Sequence, residues 1–471
     1  MSKHGIYISE NATLLTGTVT AESGIAFAIG AVPIQSAAHP AKLGEPVLVT
    51  GWADFVDKFG YSDDWTKYPM CEVAYSQFLI YGIQPVIFVN LLDPTTHKTA
   101  VAAADLNVAE HQIKLPLEAL DSAALVIKAQ GGGGDAYVKG TDYEVFYEGE
   151  SLVIELLSTG SCYSAAKLNV AYDKATPASV DASAAALGME SIESCATVCG
   201  IVPDLILAPG LSQNAALAAV MATKAAGING MFKALALVDL DAGSYTTPSA
   251  VITAKNAGAW TEHQLVCWPQ VKLGGKQFRM STVYAGLMAQ VDASNGGVPV
   301  ESPSNKALQI TGICAADGTE ISYTLAQAEL LNNAGIAVAL RFLGGWTAWC
   351  KYTALYPASN DPKDVQLPVR RMFDWVNNTI IRSFWQRLDQ PMTRVFVDNL
   401  VDETNIWMNR LAASGYLLGG RVVYLESENP PADLAAGIIR LHIFMTPPSA
   451  AQEIDVTLEY DADYLTAAFA Q

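Results

Sequence analysis

The spacing of apolar positions changes several times along the chain, and each change predicts a different kind of element. Residues 5–10 alternate, with Ile6 and Ile8 on one face and Tyr7 between them, as a short strand does. A polar stretch at 11–20 separates this strand from the first long apolar run. Over 21–97, short apolar runs at 46–50 and 85–90 predict buried strands, while 53–59 and 71–81 have helical spacing, with Val73, Ala74, Phe78 and Tyr81 on one stripe. Strand and helix alternate here, which is an α/β pattern. From 98 to about 180 the helical stripes vanish. Runs at 112–115, 125–128, 143–147 and 152–157 read as strands between glycine-rich turns, Gly131 to Gly134 among them, and predict an inserted all-β module. The α/β pattern then returns, with strands at 205–208, 234–239, 265–268 and 336–342 and helices at 212–227 and 326–333.

The last third of the chain carries the clearest periodicity. Phe373, Val376, Ile380, Phe384 and Leu388 share a stripe on a helix over 370–388. Thr393 caps a second helix whose stripe is Val397, Leu400, Thr404, Trp407 and Leu411, and Gly415 stands where a left-handed cap ends it. Two strands follow, at 421–426 and 437–444. Beyond Pro447-Pro448, residues 452–460 alternate strictly: Ile454, Val456, Leu458 and Tyr460 face one way, Glu453, Asp455, Thr457 and Glu459 the other. A double proline favours an extended spacer, so each end of the chain carries a strand set apart from its nearest core. A lone strand leaves its backbone groups unpaired. Either each arm folds back on its own sheet, or it adds to the sheet of a neighbour; periodicity weighs these alternatives equally. The two strands at 421–426 and 437–444 make too small a sheet alone, and one arm on each edge completes it at four. Val422, Tyr424, Ile439, Leu441 and Ile443 are the candidate acceptor residues.

Composition narrows the functional classes. The 471 residues are 51% hydrophobic and 16% charged, which is globular, and their number calls for more than one domain. The net charge of −19 repels phosphate backbones, so nucleic acid is not an expected direct ligand. The longest apolar run, Ile25 to Ile34, is about half the roughly 18 residues of a membrane span, so no membrane insertion is expected. The N-terminus lacks the basic and apolar blocks of a secretory signal, which points to synthesis and folding in a cytoplasm. Seven cysteines read as reduced core thiols. The ten arginines all lie at or after Arg279, and eight lie between Arg370 and Arg440. Such asymmetry marks a surface with its own partner, and Arg370, Arg371, Arg382 and Arg387 are its candidates. The sequence has no G-x-S-x-G, H-E-x-x-H or Walker A motif, and its six histidines lack ligand spacing. Asp239-Leu240-Asp241 reads as a strand-end turn in preference to a cation site. No catalytic residue, cofactor or metal is expected, and the chain is read as a non-enzyme.

An ordered series of short motifs resembles the C-terminal domain of contractile tail sheath proteins of myophages and tailocins. It runs from Pro391 through Leu411 to Gly415-Tyr416, then Ser427-Glu428-Asn429-Pro430, Gly437, Pro447-Pro448 and Glu453-Ile454. Gly5-Ile6-Tyr7-Ile8 resembles the opening strand of that family, and Pro203 to Gly210 with Leu237-Val238-Asp239 its middle domain. One segment departs: where the family often has Trp-Gly-x-Arg-Thr, this chain has Trp349-Cys350-Lys351-Tyr352-Thr353. The resemblance implies an α/β multi-domain protein with an α+β C-terminal sheath domain, an α/β middle domain, an inserted all-β module and extended strand-exchange arms. The expected boundaries are an N-terminal arm at 1–20, an α/β domain at 21–97 plus 184–360, the insert at 98–183, the C-terminal domain at 361–446 and a C-terminal arm at 447–471. It further implies a structural subunit that polymerises as stacked hexameric rings around a tail tube and contracts to drive the tube through an envelope. The implied partners are other copies of the chain, the tube, the baseplate and the tail terminator, and the implied location is a virion or tailocin tail assembled in the host cytoplasm. The inter-subunit strands would hold Ile6, Tyr7, Ile8, Ile454, Val456, Leu458 and Tyr460. A static shell built by strand exchange without contraction is the alternative reading.

Overall fold

The computed structural model describes residues 21–469; the expected first strand, with Ile6, Tyr7 and Ile8, lies outside them. Six strands are central to the main sheet because they are apolar on both faces. They are β1 (Ala26–Gly30), β3 (Val86–Asn90), β10 (Leu205–Leu207), β11 (Leu235–Asp239), β12 (Gln264–Cys267) and β16 (Ile336–Arg341). All neighbours among them pair in parallel, while β2 (Val47–Val49) and β17 (Trp346–Trp349) close the two edges antiparallel. The order is β17-β16-β12-β11-β10-β1-β3-β2. Successive residues point to opposite faces, and both faces are covered: Ala26 and Ala28 enter one core cluster, Phe27 and Ile29 another. That double burial explains runs such as Val86-Ile87-Phe88-Val89, which alternation could not have predicted.

Across one face runs α1 (Met280–Ser294), buried along almost its whole length. Its start is held by Asp239 at the end of β11, which accepts from the Ser281 amide at 2.9 Å. Gly286 lets the helix meet the Tyr81 ring; a Cβ there would stand 2.3 Å from that ring. The expected single helix over 71–81 is a helix at Pro69–Ala74 that widens into a π turn at Tyr75–Ile80.

Between β3 and β10 the chain builds two antiparallel three-stranded sheets. One is β4 (Lys98–Asn107), β9 (Lys167–Ala175) and β6 (Val126–Ala129); the other is β5 (Gln112–Pro116), β8 (Ser151–Leu156) and β7 (Tyr143–Glu148). They share a core of Ile113, Ile127, Leu152, Ile154, Leu168 and Val170. A smaller sheet joins β13 (Gln270–Leu273), β14 (Lys276–Phe278) and β15 (Gly312–Cys314).

The C-terminal part pairs α2 (Leu367–Phe384) with α3 (Arg394–Ala413), and its ribbon is β18 (Gly419–Val423) against β19 (His442–Thr446). Thr393 accepts from the Phe396 amide at 3.1 Å, and Gly415 takes φ +77°. Val397, Leu400, Thr404, Trp407 and Leu411 are buried on α3. On α2 the expected stripe is displaced. Met372, Trp375, Val376 and Thr379 are buried, whereas Phe373, Ile380 and Phe384 are half-buried and Leu388 is exposed. The reason is that α2 packs on the sheet domain as well as on α3, so its buried face is wider than one stripe.

Candidate functional site

The strongest departure from a closed globule lies at the C-terminus. After Pro447, residues 451–460 form neither helix nor strand and are exposed, and Ile454, Val456, Leu458 and Tyr460 are 81, 75, 93 and 77% exposed. The alternating segment pairs with no strand among the described residues. It is tethered at its start, where the Tyr352 hydroxyl donates to Gln452 Oε1 at 3.1 Å. A short helix, Asp463–Phe469, follows. An apolar row of this kind is rare on a monomer surface and marks an interaction site.

The ribbon that could receive such a strand is shorter than the sequence predicts. The structure corrects both strand boundaries. Val422 and Ile443 face each other in the ladder, but Tyr424, Ile439 and Leu441 lie beyond its ends. The cause is Asn429, whose amide donates to the carbonyls of Leu425 at 2.8 Å and Arg440 at 2.9 Å and accepts from the Arg440 N–H at 2.7 Å. One side chain therefore bridges the chains where the ladder would have continued. On the inner face Val422 is buried, while Leu441, Ile443 and Met445 are only partly covered. On the outer face Phe444 is 40% exposed and lies between the His442 ring, 4.3 Å away, and the Arg421 guanidinium, 4.4 Å from its centroid.

The arginine candidates separate into different roles. Arg371 is 4% exposed and internal, which corrects its assignment as a surface contact. Its guanidinium donates to Asp292 Oδ1 at 3.0 Å and to Asp204 Oδ2 at 3.3 Å. Asp204 in turn accepts from the Gly24 and Ile25 amides at 3.0 and 2.7 Å. Burial pushes its carboxyl up, and Arg371 opposes that push. Arg370 is also turned inward, to Asp374 at 2.8 Å. Arg387 holds both oxygens of Glu403 at 2.9 Å, tying the end of α2 to α3. Arg382 is half-buried and, among the described residues, has no carboxylate within ion-pair distance.

Elsewhere the polar groups serve the fold. Asp239 is buried, which pushes its carboxyl up to about 6 despite its bonds from Ser281. Asp241 accepts from the Gly243 amide and the Ser244 hydroxyl, and those bonds outweigh its burial and lower it. These are a helix anchor and a turn. A groove of about 780 Å³ opens between the insert and the C-terminal ends of β1 and β10, where ligands bind in many open α/β sheets. Two of its cations are already paired within the chain: Lys67 with Glu118 at 2.6 Å, and Arg279 with Glu72.

What sequence reasoning missed is the role of two side-chain amides: Asn429, which stood in the motif series but not as a bridge, and Asn405 of α3, which accepts from the Val422 N–H at 2.8 Å and donates to the Val422 carbonyl at 2.9 Å. A lone Asn in a helix or turn carries no period, so periodicity could not have marked either role.

No family model matches the chain. Over 411 residues it is 25% identical to the tail sheath protein of Burkholderia phage BcepMu, covering 82% of this chain and 83% of that protein. Over 273 residues it is 28% identical to a putative prophage major tail sheath protein of Pseudomonas aeruginosa, covering 56% of this chain and 66% of the relative. In structure it is similar to the sheath complex of the PVC extracellular contractile injection system in its contracted state. There the TM-score is 0.57 at 14% identity, with 98% of this chain and 99% of the other covered. Along most of its length in sequence and nearly all of it in fold, the chain is similar to contractile tail sheath proteins.

Proposed function

We propose that the chain is the repeating subunit of a contractile sheath, stacked as hexameric rings around a tail tube and held together by exchanged terminal strands. The observation that carries this reading is the exposed alternating segment 452–460, together with a C-terminal ribbon that has two strands among the described residues. Each complements the other: among the described residues the arm has backbone groups without a ladder, and the ribbon has edges without a strand. About four or five backbone bonds at roughly 0.5–1.5 kcal/mol each, with burial of Ile454, Val456 and Leu458 at about 1.5–3 kcal/mol each, are opposed by the cost of ordering the arm.

In this reading residues 1–20 and 447–471 are arms, 21–97 with 184–360 and 361–446 form the body, and the insert at 98–183 is an added module. Arm links persist while other surfaces slide between two discrete arrangements, and contraction drives the tube outward. The relatives are structural sheath proteins, and the work is assigned to more favourable packing between subunits in the contracted state and not to catalysis. Baseplate, tube and terminator are the partners, and the particle's tail is the location.

The test is electron microscopy of particles containing this chain, before and after an acid or denaturant trigger. Tubes that shorten and widen are expected. Tubes of fixed dimensions would favour the static shell. Deleting 452–471 is expected to abolish polymers while leaving the monomer's melting temperature unchanged, because the arm adds almost nothing to the fold of its own chain.

A further inference from the structure

We propose that the β16–β17 hairpin tip of one copy seats in the groove beside β3 of a second copy, with Phe342 and Leu343 as the apolar contact and Arg341 against Asp93. This rests on the assembly of copies proposed above and adds a contact between subunit bodies that uses neither terminal arm. The tip is Phe342-Leu343-Gly344-Gly345, and below it Val338 to Arg341 pair with Trp349 to Trp346. Phe342 is 52% and Leu343 94% exposed, so a firm ladder holds two large apolar side chains out in water. Leu343 also takes φ +52°, a left-handed conformation that disfavours a bulky residue, although glycines stand at the next two positions. Backbone strain and apolar exposure at one residue mark a contact surface. Arg341, at the base of the tip, is exposed and forms no ion pair among the described residues.

The receiving groove lies near the other edge of the same sheet. It has a volume of about 580 Å³ and is shared by the loop after β3 and the insert. Buried Leu92 and Leu120 line it, with Pro40, Ala41 and exposed Leu43. Three charged side chains line it too, and two of them are taken: Lys98 pairs with Asp173 at 2.9 Å and Asp121 with Lys139 at 2.5 Å. The third is Asp93. The Thr95 and Thr96 hydroxyls donate to its carboxylate at 2.7 and 2.9 Å, which holds it below its ordinary value and therefore charged. Among the described residues no Lys or Arg pairs with it. The tip thus carries an unpaired cation and the groove an unpaired anion, each beside apolar surface, which is the complementarity that fixes register between partners.

Topology makes this a contact between copies. The tip follows the C-terminal end of β16 and the groove the C-terminal end of β3, and these parallel strands are five steps apart in one sheet. At about 4.8 Å per step the two ends are roughly 24 Å apart, beyond the reach of the tip within its own chain. Strand direction turns by about 20–25° per step, so over five steps the two ends diverge by roughly 100–125°. Tip and groove therefore occupy opposite margins and do not point the same way. Two different surfaces on opposite margins make a head-to-tail contact, which repeats from copy to copy as a ring or a helix. Tip-to-tip pairing would instead set two Arg341 side chains together.

The test is cysteine cross-linking in assembled tubes of the full chain, before and after the trigger. Leu343→Cys is combined with Leu43→Cys and the tubes are oxidised. A ladder of linked chains on a non-reducing gel is expected in at least one of the two states, and none from either single variant. No ladder in either state, or a ladder from Leu343→Cys alone, overturns the proposal. Leu343→Asp reads the same contact without a cross-link. Asp tolerates the left-handed conformation, and it sets a like charge opposite Asp93. The monomer's melting temperature is expected to stay unchanged, while the chain concentration needed for half-maximal assembly rises at least tenfold. Unchanged assembly overturns the proposal. Failure of the sheath reading looks different. Tubes of fixed dimensions that still give the ladder would keep this contact and remove contraction, contracting tubes without the ladder would do the reverse, and an unaltered chain that never polymerises would remove both.

Discussion

Replacing Arg371 by Met tests whether this residue joins two parts of one subunit or two subunits. The substitution keeps a long unbranched chain in place and removes the cation shared by two carboxylates, Asp292 at 0% side-chain exposure and Asp204 at 14%. Breaking a buried pair by deleting one partner costs about 3–5 kcal/mol, because the remaining charge stays desolvated. The loss should fall on the seam between α2 and the sheet, since Asp292 lies on α1, Asp204 precedes β10 and the Gly24 and Ile25 amides lead into β1. Each 1.4 kcal/mol is a factor of ten, so amides of α2 should exchange roughly 100- to 3,000-fold faster in monomeric Arg371→Met protein than in the unaltered chain, with the insert unaffected. Adding Asp292→Asn should recover much of the difference. Acid should narrow it too. The Asp204 carboxyl is already raised by burial, and losing Arg371 raises it further. A carboxyl raised in the folded state gives stability that is complete below its unfolded value and is lost as pH rises through the folded value, so the variant's deficit shrinks as pH falls toward 3.8. Unchanged exchange in α2 combined with weakened polymers would refute this account and return Arg371 to the subunit surface.

Two other perturbations separate fold from assembly, and a third reads pH. Arg387→Glu should cost the monomer up to about 1 kcal/mol, because it breaks the bidentate bond to Glu403 in a partly solvated setting. Adding Glu403→Arg should restore the melting temperature, whereas Arg382→Glu should leave melting unchanged and impair assembly on the tube. Asp239→Asn should flatten the pH dependence of stability. The Asp239 carboxyl is raised from 3.8 to about 6, so its favourable contribution is complete below pH 3.8 and fades as pH rises through about 6. Denaturation midpoints measured at acid and neutral pH should therefore show the unaltered chain losing more stability on that rise than the variant does.

Legibility in the sequence followed the number of solvated faces each element has. α3 has one, and its stripe of Val397, Leu400, Thr404, Trp407 and Leu411 could be read directly. α2 has less, since it touches the sheet and α3 at once, and its stripe was displaced by a residue. α1 has almost none; Met280 to Ala289 shows no period because no side of it meets water, and it went unread. The β insert was legible because its strands alternate, as in the Ile113 and Leu115 pair. At the ribbon, period-two spacing continued through Tyr424 and Ile439, but Asn429 supplied the bonds that a longer ladder would have made. Arg371 illustrates a different limit. A cluster of arginines reports that a region is basic, and it cannot report that one guanidinium has its carboxylates inside the same chain.

The ribbon's two edges, taken with the charge of the arm, also bear on the geometry of assembly. An exposed strand edge is an aggregation hazard that proteins usually blunt, and Asn405 blunts one side only. The arm is a second hazard, because two arms could pair with each other. Between residues 453 and 463 it carries Glu453, Asp455, Glu459, Asp461 and Asp463, and no Lys or Arg follows Arg440. Like charges on paired strands destabilise one another, so an arm-to-arm ribbon would align two acidic rows, whereas an arm added to the ribbon with its apolar row inward would set its acids on the face that carries Arg421 and Phe444. The first pairing is self-complementary and stops at a dimer. The second joins different surfaces of successive copies, and a head-to-tail contact of that kind repeats until it closes as a ring or continues as a helix. If the arm is exchanged as proposed, the acidic row therefore does more than keep it soluble: by disfavouring the dimer, it would direct the same backbone toward an open-ended assembly.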